Sequence, residues 1–352
     1  MQQAEAVPGQ ESPVARAVEH HLRGELDAAE ALYRRALEGA PEDATLLNNL
    51  GFLLAQRGRP DEAVEHYERA LAADPARSSP HANLALVYAG RGELERAVTA
   101  LERAVELEPA NALAWRNLGK LLLARGDLVP ARSALRRAAE LGPADAELLV
   151  RLGTAEAALG ELESAQAVLE GAAAADPGSG SAWRHLGVVR FLCHDLGSAT
   201  AALQRALALA PEDSSARHHL GLVRAARGDR SGALRELERT VALDPDHRDA
   251  RLDLAVMLLA RGRTDEALAH LEARLAADPE HPRALFYRAV IRDRAGRADE
   301  AVPVLQRLAR EAPPRCARMA REYLASRDGG AALDPAPLPP PSLGDAPAFT
   351  LS

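Results

Sequence analysis

The sequence contains very few lysines, cysteines and aromatic residues. Lys120 is the only lysine among 43 basic residues, and aromatic residues make up 3% of the chain. The two cysteines, Cys193 and Cys316, lie more than three repeats apart in the pattern described below, so a disulfide between them is not expected and free thiols are typical of a reducing compartment. Apolar residues are mostly Ala and Leu without alternating β-branched runs, which favours close-packed helices over strands.

Several classes of function lack their usual sequence signals. No run of about 20 apolar residues is present, so no membrane span is expected. The segment 1–12 has neither a basic nor an apolar stretch, so we expect no secretory signal and a cytoplasmic location. A net charge of −8 argues against nucleic acid as a partner. No phosphate-binding glycine loop, HExxH or CxxC motif occurs, so we expect no cofactor, no metal centre and no enzymatic activity.

The strongest signal is a repeat of 34 residues, marked by proline. The prolines at this spacing are Pro41, Pro75, Pro109, Pro143, Pro177, Pro211, Pro245, Pro279 and Pro313. A helix that runs into proline must end near it, because proline lacks the N–H and clashes with the preceding turn. Each proline therefore marks the end of one structural unit.

With the proline at position 32, three other positions recur in the eight full units. Position 8 is Gly or Ala, position 20 is Ala, and position 15 is Gly in all units but one, where His194 stands. Small residues at 8 and 20 allow two helices to approach closely, and glycine at 15 suits a helix end in the left-handed conformation. The unit is predicted to contain helix A at about positions 2–14 and helix B at about 18–31.

This pattern resembles the tetratricopeptide repeat, a helix–turn–helix unit of the same length. The motifs "WRNLGKLL" at 115–122 and "WRHLGVVR" at 183–190 carry the resemblance most clearly, while Arg217 and Arg251 depart from it at position 4. The resemblance implies an all-α fold, a right-handed α-α superhelix in which the A helices line the concave inner wall. We expect about nine repeats and a C-terminal capping helix.

The domain organisation follows from the repeat map. We expect a flexible N-terminus at 1–9, nine tandem units at 10–315 with the first degenerate, a capping helix at 316–327, and a disordered Pro-rich tail at 328–352. The tail segment "PLPPPSLG" either docks to a proline-recognising module or is a plain tail.

Position 6 of helix A carries a ladder of three asparagines, Asn49, Asn83 and Asn117. An amide offers both donors and an acceptor, so amides at repeat intervals would bind the backbone of an extended peptide. This resembles the asparagine ladder in the repeat arm of O-linked N-acetylglucosamine transferases, a match limited to these three residues. The alternative is that they only solvate the surface or bond to a neighbouring helix. Position 9 beside them is largely apolar, which favours packing between A helices over contact with a guest.

Charge separates between the two helices of the unit. Positions 1–14 of the full units carry +13 and the rest of the chain −21. The groove would therefore favour acidic guests through a basic set: Arg116, Lys120, Arg151, Arg184, His185, His218 and His219. Other arginines at A-helix ends, such as Arg57 and Arg91, complement the helix dipole and need no guest. The histidines lack the further ligands that a metal site requires.

The "CHD" run of Cys193, His194 and Asp195 is not interpreted as catalytic, because adjacent residues on a helix do not face one another. We therefore predict a non-catalytic scaffold or adaptor that binds an extended, acidic segment of another protein in its groove. The alternative is a regulatory or targeting subunit of an enzyme or assembly complex. Such a subunit would be bound through the convex acidic face or the terminal repeats.

Overall fold

The computed structural model describes residues 13–328, which fold entirely into α-helices and connecting turns. The chain divides into two compact units, with the boundary between Ala144 and Asp145. Unit 1 contains α1 (Pro13–Leu22), α2 (Leu26–Gly39), α3 (Ala44–Gln56), α4 (Pro60–Ala73), α5 (Ser78–Gly90), α6 (Leu94–Leu107), α7 (Ala112–Arg125) and α8 (Leu128–Leu141). Unit 2 contains α9 (Ala146–Ala158), α10 (Leu162–Ala175), α11 (Gly180–Leu192), α12 (Leu196–Leu209), α13 (Ser214–Ala226), α14 (Arg230–Leu243), α15 (Arg248–Leu259), α16 (Thr264–Ala277), α17 (Pro282–Arg294), α18 (Ala298–Glu311) and α19 (Pro314–Asp328).

The helices pair as antiparallel hairpins in the order of the repeats, from α1–α2 to α17–α18, and this confirms the all-α repeat fold. In the second repeat, α3 occupies positions 1–13 and α4 positions 17–30, one residue earlier than predicted. Helix A begins at position 1 because the residue before it is a cap. The Asp43 carboxylate accepts hydrogen bonds from the N–H groups of Thr45 and Leu46, at 2.8 and 3.0 Å.

Position 15 ends helix A in a left-handed turn, as predicted from its glycines. Gly58 has φ +73° and Gly228 has φ +82°, and an added Cβ would meet nothing within 4 Å at either position. Glycine is therefore required there by its backbone angle and not by lack of space. His194 adopts φ +63° in the unit that lacks this glycine, and it is the one non-glycine residue with positive φ in the described part of the chain.

The close approach of helices A and B depends on position 8. A Cβ added to Gly119 would lie 2.5 Å from Leu135 Cγ, and one added to Gly153 would lie 2.6 Å from Leu169 Cγ. The leucines stand at position 24, which is fully buried in every repeat that has both helices. Burial of one such side chain contributes about 1.5–3 kcal/mol, so position 24 is a major source of stability.

Position 4 anchors helix A to the preceding proline turn, whether it is Trp or Arg. Trp115 Nε1 donates to the Pro109 carbonyl at 3.0 Å, and Trp183 makes the same bond to Pro177 at 3.1 Å. Arg217 Nη2 donates to the Pro211 carbonyl at 2.7 Å. Arg251 does likewise to Pro245 at 2.5 Å. The departure from the family pattern at this position therefore preserves the hydrogen bond.

Helix α19 packs on the last hairpin of unit 2, as expected of a capping helix. Cys316, Ala320 and Tyr323 are buried in the same hydrophobic cluster as Leu305 and Phe286. The Tyr323 hydroxyl also donates to Asp293 Oδ2 at 3.0 Å. The helix continues to residue 328, where the Pro-rich tail was predicted to begin. The remaining tail, 329–352, and the predicted N-terminal segment, 1–9, lie outside the described residues.

Candidate functional site

The A-helix face of unit 1 is defined here by positions 6 and 9 of three successive A helices: Asn49, Phe52, Asn83, Leu86, Asn117 and Lys120. Phe52 is 40% exposed and Leu86 is 51% exposed. Leu86 therefore departs from the sequence interpretation of position 9 as helix packing, whereas Phe52 follows it in part, because its ring lies 5.6 Å from the ring of His21 on the preceding A helix. The interpretation holds better in unit 2, where Val188 and Val256 are buried.

The asparagine ladder is partly engaged within the protein itself. Asn83 Nδ2 donates to Asn48 Oδ1 at 3.0 Å, so position 6 reaches back to position 5 of the preceding repeat. The Asn48 amide also approaches Asn49 Oδ1 at 3.4 Å, a long hydrogen bond. Within residues 13–328, the amide of Asn117 forms no hydrogen bond. All three ladder residues are half-buried, so part of their bonding capacity remains for a guest.

Lys120 is exposed on the same face and has no acidic partner among the described residues. Arg116, its neighbour one turn earlier on α7, is half-buried and takes part in an interaction within the chain. The uncompensated positive charge of this face therefore rests on Lys120.

In unit 2, the predicted basic residues are compensated by carboxylates. Arg151 pairs with Glu147 one turn away at 2.7 Å. Arg184 lies 3.5 Å from Asp213, and both side chains are about one-fifth exposed. Their charges are therefore less available to a guest than the sequence count of +13 suggests.

His185 and His219 carry no positive charge at neutral pH. Each donates from Nδ1 to a backbone carbonyl one turn earlier, His185 to Ser181 at 2.8 Å and His219 to Ser215 at 2.7 Å. Burial, with the nearby charge of Arg184, lowers the pKa of His185 to about 4. Burial, with the neighbouring His218, lowers the pKa of His219 to about 3. Their predicted contribution to a cationic groove is therefore wrong at pH 7.

His218 belongs to the interior and is removed from the candidate surface. It is 1% exposed, and its Nε2 is bonded to Asp253 Oδ2 at 2.9 Å. Arg283 reaches the other carboxylate oxygen at 3.3 Å. The sequence placed His218 beside the groove because it neighbours position 6. Position 5 instead points between adjacent repeats.

A second inter-repeat contact was not anticipated from the sequence. The arginine at position 14 of one repeat reaches the acidic residue at position 18 of the repeat before it. The pairs are Arg57–Asp27 at 2.7 Å, Arg91–Asp61 at 2.5 Å and Arg125–Glu95 at 3.0 Å. Arg261 makes the equivalent bond to Ser231 at 3.0 Å. We call this set the arginine ladder. It binds repeat to repeat and supplements the helix-dipole role predicted for these arginines.

The "CHD" run is structural. Asp195 accepts a hydrogen bond from the N–H of Ser198 at 3.0 Å and caps α12. Burial raises the pKa of the Cys193 thiol, and the carboxylates of Glu163 and Asp195 raise it further. A raised thiol pKa disfavours the nucleophilic thiolate. Among residues 13–328, no group of three or more His, Cys, Asp or Glu side chains is arranged to hold a metal ion.

Comparison with known families agrees with this geometry. A family profile described as the cilia and flagella-associated protein 70 C-terminal domain matches residues 1–179. Tetratricopeptide-repeat profiles match residues 150–214, 224–284 and 258–315. The chain belongs to the tetratricopeptide repeat family. No curated protein matches the sequence at significance.

Several solved structures share the fold. The Cut9–Hcn1 hetero-tetramer of APC/C matches with a TM-score of 0.57 and 18% identity, over 79% of this chain and 55% of that one. A monomeric mutant of IFIT1 with m7Gppp-AAAA matches with a TM-score of 0.57 and 16% identity, over 89% of this chain and 80% of that one. The C-terminal part of a tetratricopeptide-repeat protein from Cytophaga hutchinsonii matches with a TM-score of 0.52 and 16% identity, over 67% of this chain and 96% of that one. At these identities the likeness concerns the fold alone.

As a tetratricopeptide-repeat protein, the chain is a protein-interaction scaffold. The helices of residues 13–328 include none with the length and hydropathy needed to traverse a bilayer.

Proposed function

We propose that the A-helix face of unit 1 binds an extended segment of another protein, as a non-catalytic scaffold. The observation that carries the proposal is the juxtaposition of unsatisfied amide groups with exposed apolar side chains at repeat spacing. Phe52 and Leu86 lie one helical turn from Asn49 and Asn83 respectively. Large apolar side chains left exposed beside polar anchors are typical of interaction sites.

The amides would hold the guest through its backbone. Asn49 Nδ2 and Asn83 Oδ1 have no partner in residues 13–328, and Asn117 has neither donor nor acceptor engaged. An extended chain offers one N–H and one C=O per residue, so these amides can bind it whatever its side chains.

The side chains on the same face would supply selectivity. Phe52 and Leu86 would cover apolar guest residues, whereas Lys120 would attract an acidic one. Because Arg151 and Arg184 are compensated and His218 is buried, the acidic preference is proposed for unit 1 alone. An exposed charge such as that of Lys120 acts mainly on the association rate and the specificity of binding.

The test starts from peptides selected from a random phage-displayed library on the full chain, and measures their affinity by fluorescence anisotropy. The variant N49A/N83A/N117A is expected to bind at least about tenfold more weakly, since it removes several hydrogen bonds. Its melting temperature should fall by only a few degrees, because N83A removes one hydrogen bond between repeats, the bond from Asn83 to Asn48. Unchanged affinity, or a library that yields no binder, would overturn the proposal.

The matched control is E65A/E102A, which removes two exposed acidic side chains from the B helices α4 and α6. It should leave peptide affinity unchanged. If it abolishes binding while the asparagine variant binds normally, the acidic B-helix face is the working surface. The second function, a regulatory or targeting subunit bound through that face, would then replace the first.

A further inference from the structure

A separate cavity in unit 2 lies where the arginine ladder is interrupted. Its volume is about 530 Å³, within the range of ligand pockets. Ala295 and Asp265 both line it. They occupy positions 14 and 18 of adjacent repeats, the positions that Arg91 and Asp61 fill in unit 1. The contact between the last two full repeats therefore keeps its acid, Asp265, and lacks the arginine, because position 14 of the last repeat is Ala295.

Two of the three carboxylates that line this cavity have no hydrogen-bond or ion-pair partner within residues 13–328, whereas Glu272 lies 3.7 Å from Arg292. Within residues 13–328, neither Asp265 nor Glu322 forms a hydrogen bond or an ion pair, and both are exposed. The arginines that line the same cavity are engaged. Arg292 contacts Glu300 at 3.3 Å, and Arg297 donates to the same carboxylate at 2.7 and 2.8 Å. Arg294 also has a partner within the chain. Asp265 and Glu322 are therefore the two lining carboxylates that remain available to a cation.

The walls between these charges are apolar. Phe286 is a buried lining residue, and Val290 and Met319, which also line the cavity, are half-buried. Tyr287 also lines the cavity, is 5% exposed, and has a hydroxyl without a hydrogen-bond partner in the described chain. Burial raises the pKa of this phenol, so it stays protonated and remains a donor.

We propose that this cavity binds a protein segment that carries one arginine flanked by apolar side chains. The guest guanidinium takes the place of the missing ladder arginine against Asp265, and the apolar neighbours cover Val290 and Met319. A planar guanidinium can bind a carboxylate through two parallel hydrogen bonds, which a lysine cannot do. This site is independent of the face proposed in unit 1.

A ladder interruption elsewhere in unit 2 supplies the control. Position 14 is Cys193 and position 18 of the preceding repeat is Glu163, an acid without a partner in residues 13–328. Both A295R and C193R restore an arginine to the ladder. Only A295R places its side chain in the cavity, so the two variants separate closing of the cavity from stabilisation of the stack.

The probes are fluorescein-labelled tetrapeptide amides that contain Arg among Leu and Phe residues, each with a citrulline counterpart that keeps the shape and loses the charge. Binding to the full chain should be at least about tenfold tighter for the arginine peptide. A295R should abolish this binding, whereas C193R and N49A/N83A/N117A should retain it. Should A295R fail to fold, D265N tests the same contact and should remove the preference for arginine over citrulline. The proposal is overturned if no peptide of the set binds, if arginine and citrulline peptides bind equally, or if A295R binds normally.

Discussion

The Nε2 atom of His218 lies 2.9 Å from Asp253 Oδ2, and the two residues are 1% and 7% exposed. They stand at position 5 of one repeat and position 6 of the next, the relationship that Asn48 and Asn83 show in unit 1. Arg283 of the following repeat completes the cluster. Burial alone would raise the pKa of Asp253, but the hydrogen bonds and charges of His218 and Arg283 lower it overall. The ionised carboxylate thus joins three successive repeats.

We predict that D253A lowers the free energy of unfolding by about 2–4 kcal/mol, because it leaves His218 and Arg283 without their shared acceptor. D253N keeps one acceptor oxygen and should cost about half as much. Urea denaturation of the full chain, followed by circular dichroism, measures both. The control is D246A at an exposed aspartate, for which a change within about 0.5 kcal/mol is expected. Equal effects of D253A and D246A would show that the cluster does not hold the repeats together.

We predict that acidification destabilises unit 2 through His185 and His219, because their pKa values are lowered in the folded state. Since the folded-state pKa of His185 is about 4 and that of His219 about 3, the unfolded chain binds protons first as pH falls below about 6.5. The stability that the two neutral histidines contribute is complete above about pH 6.5. It decreases as the pH falls from there towards the folded-state pKa values. At pH 5 each histidine is expected to lower the free energy of unfolding by about 1–2 kcal/mol relative to neutral pH.

Urea midpoints between pH 7.5 and 5 measure this effect, and H185Q/H219Q is the informative variant. Glutamine retains hydrogen-bonding capacity without titrating, so the midpoint of the variant should fall less over this range. Burial also lowers the pKa of His66 in unit 1, so H66Q should likewise reduce the fall of the midpoint over this range. A wild-type midpoint that is constant from pH 7.5 to 5 would contradict the prediction.

The fold was predictable because the signals that carry it are local and repeated. The proline at position 32, the glycine at 15 and the small residue at 8 each fix a turn or a helix contact, so helix boundaries in the full repeats follow within one residue, except for the end of α15, which differs by two. Trp115 and Arg251, which both stand at position 4 of their repeats, show the limit of such patterns. Composition could not reveal that an arginine donates the same hydrogen bond to the proline carbonyl as a tryptophan.

The candidate site was less predictable because it depends on which partner each charge finds in three dimensions. A count of basic residues in the A helices cannot distinguish Lys120, which has no acidic partner among the described residues, from Arg184, which lies beside Asp213. The burial of His218 also required the structure, since positions 5 and 6 differ by only 100° around the helix. One signal was available in the sequence. Position 14 is arginine opposite an acid in unit 1, so Ala295 opposite Asp265 marks an interruption.

His194 offers the clearest test of backbone strain in the stack. It adopts φ +63° where every other described repeat has glycine, and a non-glycine residue in this conformation costs about 1–2 kcal/mol. H194G should therefore raise the free energy of unfolding by about 1 kcal/mol. The matched variant is G228A, which places a Cβ in the equivalent turn of the next repeat, where no atom lies within 4 Å. Since space is open there, its expected loss of about 1 kcal/mol would come from the backbone angle alone. Urea denaturation of the two variants should give changes of similar size and opposite sign. A loss of stability in H194G would mean that the His194 side chain contributes more than the strain it imposes.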